Sequence, residues 1–135
     1  MKNIGVSIMV NRNTFFTAFT LAELAREIER GVCAVITADG GGPAHIAKVG
    51  AVALAAATGA PLLPVGADCY PAIYERHKWD RVRTPLPFGR VAIALGQLRA
   101  YTILADLASI EEARRRLQDA LNEVATTAQR AIRQC

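Results

Sequence analysis

The sequence predicts one α/β domain, a mostly parallel sheet flanked by helices. Three observations predict it. Stretches with strand character alternate with stretches of helical periodicity, the order of βαβ units. The run Val32-Cys33-Ala34-Val35-Ile36-Thr37 is almost wholly apolar and rich in β-branched residues, as in a parallel strand buried on both faces. The chain has 135 residues, of which 52% are hydrophobic, enough for one core without staples.

Gly5 to Val10 is half apolar and predicts a short strand, and Asn11-Arg12-Asn13 a turn. Thr20 can cap a helix, and Glu23 three residues later completes a capping box. Leu21, Leu24, Ala25 and Ile28 recur on one face of that helix, and Gly31 is a natural stop. The strand Val32 to Thr37 follows, then a glycine-rich loop from Ala38 to Pro43. A helix is predicted from about Ala44 to Thr58, closed by Gly59. Pro61 to Val65 predicts a strand whose two prolines suit an edge or a strand start. Tyr70 to Pro87 is irregular, Arg90 to Leu95 predicts a further strand, and Gly96 ends it. The last helix is the clearest. Ser109 and Glu112 have capping-box spacing, and Ile110, Ala113, Leu117, Leu121, Val124, Ala128 and Ile132 form an apolar stripe. Such a stripe suits a membrane surface, but more often packs on a sheet, and the second reading is favoured. Strand-to-strand connections of this kind are right-handed crossovers. No repeat, linker or low-complexity tract divides residues 1–135, so one domain is the economical reading.

Composition removes several function classes. Charged residues make up 21% of the chain, and disorder is excluded by the hydrophobic content. The net charge of +4 suits anionic lipid, phosphorylated substrates or nucleic acid, and equally plain solubility. No aromatic–basic interleaving or reading motif supports nucleic acid. Cys33, Cys69 and Cys135 are odd in number and widely spaced, which argues against disulfides and zinc and suits a reducing cytoplasm. Cys33 reads as a buried thiol and Cys135 as an exposed one. The longest uncharged apolar run, Val49 to Ala67, is broken by Gly50, Gly59, Pro61, Pro64 and Gly66. It therefore spans no membrane, and membrane contact would be peripheral.

The segment with most chemical content is Thr37-Ala38-Asp39-Gly40-Gly41-Gly42-Pro43. It follows a predicted strand and precedes a helix, where α/β sheets bind ligands. Glycines there let backbone amides approach a phosphate. It is neither a Rossmann nor a Walker loop, and the same residues also make an ordinary strand-to-helix turn with Asp39 as a cap. His45 could act as an acid or base, although a lone histidine is more often a surface or capping residue. Arg76-His77-Lys78-Trp79-Asp80-Arg81 could meet phosphate or a lipid headgroup, or be a solvated loop anchored by a packed tryptophan. Ser7, Ser109 and Cys33 belong to no recognisable triad.

Together, Ala34 to Asp39 with its loop, Lys48 to Ala55 and Thr58-Gly59-Ala60-Pro61-Leu62-Leu63-Pro64-Val65 resemble the lysophospholipid acyltransferase superfamily. The resembled branch is a bacterial acyltransferase-like domain of uncharacterised function. Trp79-Asp80-Arg81, Pro85-Leu86-Pro87-Phe88, Arg90-Val91-Ala92-Ile93, Gly96 and the helix Glu111 to Leu121 add to it. The resemblance implies the acyltransferase fold with its N-terminal part missing. It implies membership of phospholipid metabolism: an acyl group moves from a thioester of coenzyme A or acyl carrier protein to a hydroxyl of a lysophospholipid or glycerol phosphate. Neither donor would be a tightly bound cofactor, and no metal is implied. Asp39, Gly40, Gly41 and Gly42 would contact the acceptor, and Pro61, Pro64 and Val65 would shape the acyl pocket. The expected place is the cytoplasm, peripheral to the inner membrane.

Two departures stand out. The family's catalytic His-x4-Asp is absent, since the fifth residue after His45 is Gly50 and after His77 is Val82. No catalytic residue is therefore assigned, and the expectation is a chain inactive alone, with a non-catalytic lipid-binding module as the alternative. The loop also lacks the arginine that the family carries, and with it a guanidinium suited to phosphate. A sheet domain that starts here should have an open edge and an uncovered apolar face. Self-association, or a missing N-terminal partner segment, is expected to cover it.

Overall fold

The computed structural model describes residues 18–40, 43–74, 83–100 and 107–134. Helix α1 spans Ala18–Glu29 and helix α2 spans Val49–Thr58. Strands β1 (Val65–Tyr74) and β2 (Arg83–Leu95) follow, and helix α3 (Leu107–Gln134) closes the chain. The predicted strand Gly5 to Val10 and the Arg76–Arg81 cluster lie outside the described residues.

The sheet corrects the predicted architecture. It is a two-stranded antiparallel hairpin, β1 against β2, and no parallel sheet forms among the described residues. The register runs from Val65 opposite Leu95 to Tyr74 opposite Arg83, with an irregularity between Tyr70 and Ala72. The stretch that reads as irregular is the body of this hairpin. Pro71 falls at the register irregularity, while Pro85 and Pro87 lie within β2. Prolines lower strand propensity, but the strands of a two-stranded sheet each keep a free edge where a missing N–H costs little.

Val32 to Thr37 is extended but is not a paired strand. Its residues alternate between half-buried and exposed, so it is covered on one side only, and Cys33 is exposed rather than buried. Pro61 to Val65 likewise contributes one isolated bridge, Leu62 to Arg99, before Val65 opens β1. Ile36 and Leu62 nevertheless rest on the same core cluster of Ala51, Val52, Ala113 and Leu117.

Helix α3 is the organising element. It packs on both strands and on α2, and α1 packs on α2. Ala113, Leu117, Val124, Ala128 and Ile132 of the predicted stripe are buried, and Ala120 joins them. The stripe therefore covers the sheet rather than a membrane, and no described helix is long and apolar enough to cross one. Strand β1 approaches α3 closely at Gly66, where an added Cβ would lie 2.6 Å from the carbonyl carbon of Val124. Helix α2 is apolar on all sides, as suits a helix held between two others. It starts five residues later than predicted, after Lys48, and ends as predicted at Gly59 in the left-handed conformation. Thr20 and Ser109 lie inside their helices rather than ahead of them, so neither stands at the predicted cap position, and Glu112 pairs with Arg116 at 2.9 Å.

Candidate functional site

The site grows from the connection between the extended segment and α2. Gly40 takes a positive φ of 50°, and its amide donates to the Thr37 carbonyl at 3.3 Å, closing a tight turn. The Lys48 amide donates to the Ala38 carbonyl at 2.8 Å, which brings both ends of the loop together. The Lys48 ammonium reaches back toward the Gly40 carbonyl at 3.5 Å. Asp39 and Gly40 are half-buried beside it. Gly41 and Gly42 lie outside the described residues.

Helix α3 anchors this loop. The buried Ala47 donates its amide to Gln118 Oε1 at 2.6 Å, and its carbonyl accepts from the Arg114 guanidinium at 3.0 Å. Arg114 also donates to both carboxylate oxygens of Glu111, at 2.8 and 2.7 Å, so its planar fork is used on both sides. These bonds hold the Glu111 carboxyl down at about 2. Arg114 is thus half-buried and structural, not a member of a solvated arginine run. Residues 114 and 118 are one helical turn apart, which puts both at the border of the buried stripe facing the same loop.

His45 sits between these anchors with a positive φ of 65° and an exposed side chain. Among the described residues no carboxylate lies in ion-pair distance of it, so no His–acid pair forms there. Groups of three or more metal-ligating side chains are also absent among the described residues.

Beside the loop runs a small apolar cleft. Ile28, Val32, Ala34, Ile36, Leu54 and Leu62 line it, with Thr58 at its polar margin. Its volume is about 90 Å³. Ile36, at the edge of this cleft, leads directly into the Thr37 to Gly40 turn. Of the segment predicted to shape a pocket, Leu62 lines this cleft. Pro64 is buried against Gly96, while Pro61 and Val65 are exposed.

A second polar feature escaped sequence reasoning. Asp68 is the buried charged residue of the described core, and its carboxylate pairs with Arg83 and accepts the Cys69 amide at 2.9 Å. The carboxylate holds the Arg83 guanidinium above its ordinary range, and Arg83 also lies 5.4 Å from the centre of the Tyr74 ring. A lone aspartate inside the otherwise uncharged Val65 to Tyr74 was the available signal. This cluster ties the two strands together, with Asp68 buried and Arg83 partly exposed.

No family model matches the sequence, and no curated protein or solved structure matches it either.

Proposed function

We propose that the chain binds an acylated amphiphile of the lysophospholipid or fatty-acyl class, and that it does not transfer the acyl group by itself. The observation that carries this reading is the apolar cleft lined by Ile28, Val32, Ala34, Ile36, Leu54 and Leu62, with the Thr37 to Gly40 turn following Ile36 directly in the chain. The resemblance to lysophospholipid acyltransferases points to the same ligand class. In that family a histidine paired with an acid takes the proton of the acceptor hydroxyl as it attacks the thioester carbonyl. Among the described residues no carboxylate pairs with His45, so the hydroxyl would have no oriented base there.

Size limits what the cleft can take. A volume of about 90 Å³ is that of about three waters, so it holds a few methylene groups and not a whole long chain. Burying about four methylenes at ~0.8 kcal/mol each stabilises the complex by about 3 kcal/mol. Lys48 supplies the one loop cation for an anionic headgroup, and an exposed pair of that kind adds less than about 1 kcal/mol. Affinity should therefore be weak, about 1 mM or weaker.

Titration calorimetry with fatty acids and lysophosphatidic acids of increasing chain length tests the reading. Affinity should rise over the first few carbons and then level off. Ala34→Leu, which fills the cleft, should weaken binding about tenfold while the fold persists. An acyl-transfer assay with acyl-coenzyme A and lysophosphatidic acid should show no turnover. Absence of any chain-length dependence would remove the cleft as the acyl site. Turnover by the pure chain would instead make it an enzyme.

A further inference from the structure

The strand layer is covered on one side only. Gly66 abuts the α3 backbone, and Ile36 and Leu62 face the core shared by α2 and α3. Alternate residues must then face the other way. They do so without cover: Ile93 is 68% exposed and Leu95 65%, and Leu63, Val65 and Val91 are each about half exposed. Val65 lies opposite Leu95, and Ala67 opposite Ile93, so these side chains form a continuous aliphatic ladder rather than scattered contacts. No charged residue interrupts the outward positions of this ladder.

We infer that this face joins two copies of the chain by packing sheet against sheet. The area argues for it. Five such aliphatic side chains expose roughly 100 Å² each, about 500 Å² per copy, within the upper range of what a monomer ordinarily leaves bare. Two copies together would remove about 1,000 Å² from water, the size at which specific interfaces begin. Geometry argues for a second copy as the occupant. An isologous two-fold contact needs one self-complementary patch, and pleated aliphatic faces interdigitate at about 10 Å separation.

Sedimentation equilibrium on the full chain, up to about 100 μM, tests this. The expected mass is twice the 14.5 kDa of one chain. Ile93→Lys and Val65→Lys place a charge in the ladder without touching the α3 side. Each should weaken the dimer at least about 100-fold while helical circular dichroism is unchanged. A monomeric wild-type chain over the whole range overturns the inference, whatever the variants do. So does a dimer that both substitutions leave intact. A monomer that floats with phosphatidylglycerol vesicles, and loses this with Ile93→Lys, overturns it in favour of a lipid surface.

Discussion

Replacing Gly66 by alanine tests the seating of α3 on β1 most directly. The new Cβ would lie 2.6 Å from the Val124 carbonyl carbon and 2.7 Å from both the Val124 oxygen and the Ala125 nitrogen. These are main-chain atoms in the middle of a 28-residue helix, so no rotamer change can relieve the contact. Ordinary contact begins near 3.4 Å, so helix and strand must part by about 1 Å. Overpacking of this kind costs about 1–3 kcal/mol, and here the upper end applies because α3 also contacts β2 and α2. Loss of glycine's freedom in the unfolded chain offsets about 0.4–1 kcal/mol. The net loss is about 2 kcal/mol. With a urea dependence of about 2 kcal/mol per molar, the unfolding midpoint should fall by about 1 M. Gly59→Ala is the comparison, since nothing lies within 4 Å of its added Cβ and only its φ of 68° opposes the side chain. It should cost about 1 kcal/mol and act locally at the end of α2. If Gly66→Ala unfolds at the wild-type midpoint, or loses less than Gly59→Ala, α3 does not rest on β1 as described.

Two further outcomes follow from the loop anchor. Gln118→Ala removes the acceptor for the buried Ala47 amide, and should cost about 1 kcal/mol and speed hydrogen exchange at that amide. An unchanged exchange rate would mean that the loop holds itself. Glu111 supplies a pH dependence. Its carboxyl is lowered from 4.5 to about 2, chiefly by hydrogen bonds from Arg114. A depressed carboxyl pKa means that its stabilisation is complete above the unfolded value and is lost as pH falls through the folded one. Stability followed by circular dichroism should therefore decline from about pH 4.5 to about 2, and Glu111→Gln should remove part of that decline. An identical acid limb in the variant would discount the Arg114 contact.

Much of the helical content was legible because helices are local. The stripe from Ala113 to Ile132 repeats at helical spacing, and those positions are the ones that α3 buries. Gly31 and Gly59 mark their helix ends with positive φ, as their lack of a Cβ permits. The boundaries were less legible, since Thr20 and Ser109 offer cap chemistry but the helices begin ahead of them. For the candidate site, Asp39 and Gly40 were visible as a turn after an apolar run. Gln118 and Arg114 were not, because nothing in a single sequence tells which loop will meet a polar pair more than sixty residues away.

The sequence by itself determined the apolar run from Val32 to Thr37, the position of the loop, the α3 stripe and the absence of a His-x4-Asp pair. It determined these because each depends on neighbouring residues alone. Tertiary structure decided the pairing. An apolar run carries no record of which strand will hydrogen-bond to it, so Val32 to Thr37 could read as a central parallel strand and yet stand unpaired with Val35 in the open. The hairpin was decided in the same way. Once β1 runs on through Pro71, the only described strand within reach is β2, and the two close antiparallel beneath α3.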